Sequence, residues 1–272
     1  MILLTGATGT IGRHLLRILT GTGEPVRAVT RGAPLPGVDS VRAVEAGLDG
    51  ATALFLHPRV AGEDAAGILA SARAAGVRKV VALTAMNVED PEERQPSRFA
   101  GDRNKELDAA ARDSGLDWTV LRASSFAGNA ARAFGPQLRA GHVVRYPFRA
   151  FQESLVDERD IAEVAAAALR DGTLSGRVLE LTGPQSLTHG EQVATIGAVL
   201  RRPLTFQEVP PAVAAWQLTV GGLPELFVGA LMERYERHLD QPQHPPTGVV
   251  EEVLGRPATP FASWVADHAD AF

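Results

Sequence analysis

The sequence predicts an α/β fold, a doubly wound parallel sheet with a smaller, mostly helical region after it. Three observations predict it. Short β-rich runs alternate with longer helical patterns through the first half of the chain, the order that parallel strands joined by crossover helices require. A glycine-rich turn, Gly6 to Gly12, follows directly on the first apolar run and opens an amphipathic stretch. Beyond Gly183 helical patterns dominate, and no sharp change of composition marks an independent second unit. The 272 residues therefore read as one unit over 1–272, with the sheet core mainly in 1–150 and the C-terminal region mainly in 183–272.

Strands are expected at Met1–Thr5, Val26–Thr30, Val41–Val44, Ala53–His57, Lys79–Thr84 and Trp118–Arg122. Between the first two, Ile11, Leu15, Ile18 and Leu19 fall at helical spacing, and Gly21 and Gly23 stop the pattern. Similar helices fit Asp64–Ala75, ended by Gly76, and Asp102–Asp113, ended by Gly115. After Arg122 the rhythm changes: a turn is expected within Ala133–Gly141 and a short strand at Ser154–Val156. Asp160 reads as the N-cap of a helix Ile161–Leu169, and Val178–Thr182 as a strand closed by Gly183-Pro184. Helices follow at His189–Leu200, Ala212–Val220 and Glu225–Leu239, the last presenting Phe227, Leu231, Tyr235 and His238 on one face. The run Pro242–Pro246 breaks the chain before a final helix around Phe261–His268.

Composition narrows the chemistry. A hydrophobic fraction of 45% and a charged fraction of 22% are those of an ordinary soluble globular chain. A net charge of −5 argues against a nucleic-acid surface. With no Cys, thiolate nucleophiles, cysteine-held zinc and disulfides are excluded. The histidines His142, His189, His238, His244 and His268 show no metal-ligand spacing, so no metal is expected. The longest uncharged run, Val209 to Pro224, is shorter than the ~20 residues a membrane span needs and is broken by Pro and Gly. No leader pattern opens the chain, so a cytoplasmic monomer or homodimer away from membranes is expected. Lys79 and Lys105 are the only lysines, which leaves any mechanism that needs an ammonium two candidates.

The most informative segment is Thr5-Gly6-Ala7-Thr8-Gly9-Thr10-Ile11-Gly12. Gly6 permits a tight turn, Gly9 lets the backbone approach a pyrophosphate, and Gly12 lets the following helix pack closely on the sheet. The helix start then offers N–H groups and positive dipole to phosphates. At the end of the second strand, where a carboxylate would hold the ribose 2′-hydroxyl of NAD, the chain has Thr30-Arg31. An arginine there pairs with a 2′-phosphate, so NADP(H) is the expected cofactor, with Arg13 as a second cation.

These residues resemble the T-G-A-T-G-x-x-G turn of the atypical short-chain dehydrogenase/reductases, specifically the NmrA-like group. Ser114-Gly115-Leu116-Asp117-Trp118-Thr119-Val120-Leu121-Arg122 is similar to their S-G-L-x-W-T-x-L-R strand, and Val156-Asp157-Glu158-Arg159-Asp160-Ile161-Ala162 to their V-D-x-R-D-I-A turn. The resemblance, which runs from residue 2 to about 190, implies a Rossmann unit with a C-terminal substrate region. It also implies contact with the nicotinamide end of the cofactor by Ala123-Ser124-Ser125-Phe126. The candidate cofactor contacts are Gly6, Thr8, Gly9, Thr10, Ile11, Gly12, Arg13, Thr30 and Arg31, with His57, Thr84, Ala85, Lys105, Ala123, Ser124 and Phe126 further along the crevice.

The family's usual catalytic set is a Ser or Thr after the fifth strand and a Tyr-x-x-x-Lys on the next helix. Here Ala85 stands at the expected hydroxyl position, with Thr84 one residue early. Counting back four from Lys105 gives Gly101, and slipping the register by one gives Asn104 with Ala100. The two tyrosines, Tyr146 and Tyr235, are far away in sequence. Thr84, Lys105, Ser124 and Ser125 remain as catalytic candidates. Three readings follow: an NADPH-dependent reductase of a ketone on a bulky aromatic, polyketide-like substrate; a dinucleotide-sensing regulator without turnover; and a quinone or azo reductase. For the small-molecule substrate, Met86, Ser125, Trp216, Phe227, Leu231 and Tyr235 are the expected contacts, the last four on a helical pair whose Gly221-Gly222 hinge suits an apolar lid.

Overall fold

The computed structural model describes residues 1–240 and 243–272; Pro242, the first residue of the expected chain-breaking run, lies outside the described residues. Eleven strands are present among these: β1 (Ile2–Leu4), β2 (Val26–Val29), β3 (Asp39–Val41), β4 (Ala53–Leu56), β5 (Lys79–Ala85), β6 (Asp117–Ala123), β7 (Val143–Tyr146), β8 (Gln152–Glu153), β9 (Arg177–Leu181), β10 (Leu187–Thr188) and β11 (Thr205–Glu208). Seven form one sheet in the order β3-β2-β1-β4-β5-β6-β9, every pairing parallel. Every residue of β1 and β4 is buried. These strands read as continuous apolar runs because helices cover both faces of the sheet.

The helices are α1 (Gly12–Gly21), α2 (Pro58–Ala61), α3 (Ala65–Ala74), α4 (Pro96–Phe99), α5 (Asn104–Asp113), α6 (Gly128–Ala140), α7 (Glu158–Arg170), α8 (His189–Leu200), α9 (Pro211–Val220), α10 (Glu225–Arg237), α11 (Val249–Leu254) and α12 (Phe261–Asp267). One core joins α1 and α7 to the sheet through Leu15, Leu19, Ile161 and Ala165. A second packs α3 and α5 against it through Leu69, Ala72, Leu107 and Ala111. A third, around Phe134, Tyr146, Phe151 and Trp264, belongs to the C-terminal region, where β8 pairs with β10 and β7 with β11.

The structure corrects several sequence expectations. No turn interrupts Ala133–Ala140, which is the second half of α6 with Pro136 inside the helix, and Gly141 follows as the residue that ends it. Ala130, Phe134 and Leu138, spaced by four, bury one face of α6, and that burial outweighs the missing N–H of Pro136. The third strand begins at Asp39, two residues before the expected start, and Arg27 Nε donates to Asp39 Oδ2 at 2.6 Å across the ladder. The expected strand at Ser154–Val156 is displaced to β8, and Val156 makes only an isolated bridge with Phe126. Asp157, not Asp160, caps α7 and accepts from the Arg159 N–H at 2.8 Å. Asp160 lies one turn inside, fully buried, where it accepts from the Thr259 N–H (2.7 Å) and hydroxyl (2.9 Å) and from Arg256 (2.8 Å). The V-D-x-R-D turn thereby fastens the C-terminal segment to α7. In the S-G-L-x-W-T-x-L-R strand, buried Arg122 makes two bonds to Asp108 of α5, at 2.8 and 3.0 Å.

Candidate functional site

Strand order reverses between β1 and β4, and in an open α/β sheet ligands bind beyond the strand ends at that point. Thr5 sits there, fully buried, donating its hydroxyl to the Phe55 carbonyl (2.9 Å) and accepting from the His57 N–H (2.8 Å). Gly6 turns the chain at φ +65°, and the Gly9 N–H closes the turn on its carbonyl at 2.8 Å. A Cβ on Gly12 would stand 2.0 Å from the Gly6 carbonyl oxygen, so only glycine lets α1 start this close to the turn. The Arg13 N–H is taken by the Gly9 carbonyl and the His14 N–H by that of Ile11, both at 3.1 Å, so the N–H groups left for an anion beside the switch point are those of Thr10, Ile11 and Gly12. His57 packs on Gly6; its Nδ1 accepts from the Arg59 N–H at 3.2 Å, which puts the ring proton on Nε2. Burial, then Arg59, holds His57 below its ordinary pKa against the opposing pull of Asp102, so the ring is neutral near pH 7.

At the end of β2, the Thr30 hydroxyl accepts from the Gly32 N–H at 3.2 Å, and the Arg31 carbonyl accepts from Arg42, a neighbour on β3's exit that sequence reasoning missed. The Arg31 guanidinium is exposed and makes no ion pair among the described residues, while Asp39, the next carboxylate after it in the chain, is held by Arg27. These features fit a dinucleotide carrying a 2′-phosphate. Arg13 is exposed on the first turn of α1 and, with Thr10, His14, Asp157 and Arg159, lines a hollow of about 210 Å³.

A cavity of about 950 Å³ opens at the ends of β5 and β6, walled by α6, α9 and α10. Of the expected substrate contacts Met86, Ser125, Phe227, Leu231 and Tyr235 line it, together with Ala85, Ala123, Ser124 and Phe126 from the expected cofactor set. Two expectations are corrected. Lys105 does not line the cavity among the described residues, whereas Ala100, just after α4, and Asn104, the first residue of α5, do. Asn104 donates to Ser97 Oγ at 2.9 Å. Trp216 is 66% exposed and turned away, since α9 presents Ala214, Gln217, Leu218 and Gly221 to the cavity and Trp216 lies on the opposite face.

The hydroxyls near the strand ends are differently engaged. Thr84 is buried facing the Leu121 carbonyl (3.4 Å) and Asp108 (3.5 Å), Ser124 donates to the Ser154 carbonyl at 2.6 Å, and Ser125 accepts from Arg234 Nη2 at 3.0 Å. At the cavity's other end the two tyrosines meet, their phenol oxygens 3.2 Å apart, with the His189 ring edge-on to both. Burial pushes Tyr146 up to about 12 and Tyr235 well above its ordinary value, and burial holds His189 down, so both phenols keep their protons and the imidazole is neutral. Nothing in the spacing of Tyr146, Glu153, His189 and Arg234 foretells this cluster. Among the described residues no group of three or more metal-ligating side chains converges, and no helix is long and apolar enough to cross a membrane.

A family profile described as NAD(P)H-binding matches residues 35–172. The chain belongs to the NAD(P)H-binding family. Over its whole length this NAD(P)H-binding chain is 36% identical to (4-alkanoyl-5-oxo-2,5-dihydrofuran-3-yl)methyl phosphate reductase of Streptomyces griseus subsp. griseus, covering 99% of that protein. It is 28% identical to the NAD(P)H azoreductase of Xenophilus azovorans, with 100% of this chain and 99% of the relative covered. Among solved structures, its fold matches the NADPH-dependent quinone oxidoreductase of Escherichia coli complexed with NADPH (TM-score 0.82, 21% identity, 99% and 100% of the two chains). The triphenylmethane reductase of Citrobacter sp. complexed with NADP(H) gives a TM-score of 0.77 at 18% identity, over 98% and 99% of the chains.

Proposed function

We propose that this NAD(P)H-dependent reductase prefers NADPH and reduces a carbonyl conjugated with a bulky, flat aromatic system, as in polyketide-derived ketones. The observation that carries the reading is a dinucleotide turn opening beside a cavity of about 950 Å³, at whose rim Ala85, Ala100 and Asn104 stand where hydroxyl, Tyr and Lys would be. When bound, the reduced nicotinamide supplies the hydride. Toward the cofactor the chain's part is positional: Gly6–Gly12 holds the pyrophosphate, Arg31 pairs with the 2′-phosphate, and Ala85, Ala123, Ser124 and Phe126 seat the nicotinamide end against the strand tips. Leu218, Phe227 and Leu231 hold the acceptor's apolar body and keep water from it. A ketone beside a phenol bonds its own developing alkoxide internally, so this substrate class can be served by a weak protein donor in place of a Tyr–Lys pair.

A second reading, hydride delivery to a quinone or azo acceptor, is supported by the full-length likeness to an azoreductase. One experiment sorts these readings: NADPH oxidation by the purified protein against peri-hydroxy aromatic ketones, quinones and azo dyes, with products identified by mass. Ketone-dependent oxidation yielding the alcohol is expected. Turnover restricted to quinones or dyes selects the second reading, and tight NADPH binding without oxidation by any acceptor overturns both in favour of a sensing role.

A further inference from the structure

Of the three hydroxyls at the ends of β5 and β6, Ser125 alone faces the cavity without giving away its proton. Thr84 turns inward toward the Leu121 carbonyl and Asp108, and Ser124 donates to Ser154. Ser125 instead accepts from Arg234, and its own O–H meets no acceptor among the described residues. Arg234 arrives from α10, 109 residues along the chain. Its guanidinium carbon lies 5.5 Å over the Phe151 ring, Gln243 accepts from its Nε, and Glu153 stands at 3.6 Å, past hydrogen-bond reach. The other titratable groups around it are Tyr146, Tyr235, His189, His238 and His244, and its charge disfavours a proton on each of the three imidazoles; His244, burial acting first, is held to about 4. Arg234 is thus a fixed positive charge among neutral groups and one offset carboxylate. A guanidinium bonded to a hydroxyl oxygen favours negative charge on that oxygen and strengthens donation by its O–H.

We propose that Ser125 and Arg234 take the place of the absent Tyr–Lys pair: the Ser125 hydroxyl donates to the acceptor's carbonyl oxygen, and Arg234 positions that hydroxyl and stabilises the charge arising there. The inference rests on the reductase reading above. The dihydronicotinamide, when bound, would supply two electrons and one hydrogen as hydride from its C4–H bond and be left as the oxidised ring; the carbonyl carbon would gain the new C–H bond while the C=O π pair moves to oxygen. That oxygen takes the Ser125 proton, and the serine alkoxide, held by Arg234, regains a proton from water as product leaves. Ser125 is the catalytic residue and Arg234 the positioning one.

The test uses the full chain with NADPH and a peri-hydroxytetralone as probe. Wild-type turnover is measured first; without it the reductase reading fails and the pair's role falls with it. Given turnover, Ser125→Ala is expected to lower kcat about 100-fold, the scale of losing one oxyanion donor, with NADPH Kd unchanged and activity largely restored in Ser125→Thr. Arg234→Lys, which keeps the charge, is expected to retain more kcat than Arg234→Gln, and both to lose less with an electron-poor quinone. Should Arg234→Gln fail to fold, Ser125→Ala leaves the Arg234–Glu153 contact intact and decides alone. A Ser125→Ala enzyme with wild-type kcat overturns the proposal and leaves the pair as packing between α10 and the β6 exit.

Discussion

The phenol oxygens of Tyr146 and Tyr235 lie 3.2 Å apart although 89 residues separate them. One phenol donates to the other, and both rings are buried against His189. Desolvation makes phenolate costly in this place, which raises both pKa values above the usual 10. Because the folded pKa exceeds the unfolded one, the pair's contribution to stability is complete below pH 10 and is lost as pH climbs through about 12. Ultraviolet titration is therefore expected to show no phenolate in the native protein at pH 10, with phenolate absorbance appearing only as the chain unfolds.

Thr5 ties the two strands that flank the switch point. Thr5→Val keeps the shape but removes the acceptor of the His57 N–H, and a loss of about 1–3 kcal/mol in urea unfolding is expected, the cost of one unpaired buried group. Weaker NADPH binding should accompany it, since His57 and Gly6 pack directly on each other.

Gly12→Ala places a methyl group 2.0 Å from a carbonyl oxygen, a clash that no rotamer relieves. The turn must open, so fluorescence titration is expected to show loss of NADPH binding together with a lowered Tm.

Arg31, at the end of β2, is exposed and makes no ion pair among the described residues. Arg31→Ala is expected to weaken NADPH binding at least tenfold, about 1.4 kcal/mol, while NADH binding changes little. Equal losses for the two dinucleotides would remove the 2′-phosphate assignment.

The two faces of α9 make opposite forecasts. Trp216→Ala, on the exposed face, is expected to leave both acceptor KM and NADPH Kd unchanged. Leu218→Ala, on the cavity face, should raise acceptor KM several-fold with NADPH Kd unaffected, because the acceptor loses apolar contact.

What the sequence by itself determined is what short-range patterns encode. The turn Gly6–Gly12, the strand cores, the helix that became α3, and α8 at His189–Leu200 were all legible, since each is written in spacings of two to four residues and in local turn chemistry. So was the absence of a carboxylate beside Arg31. Tertiary structure decided the rest. Phe134 and Leu138 keep α6 helical through Pro136 only because a third core exists to bury them. The orientation of Trp216, the emptied place of Lys105, and the meetings of Tyr146 with Tyr235 and of Ser125 with Arg234 depend on how distant elements pack. Such contacts carry no local periodicity. They are chosen by burial of apolar faces against partners about 90 to 110 residues away, and a single sequence records those faces without naming the partner.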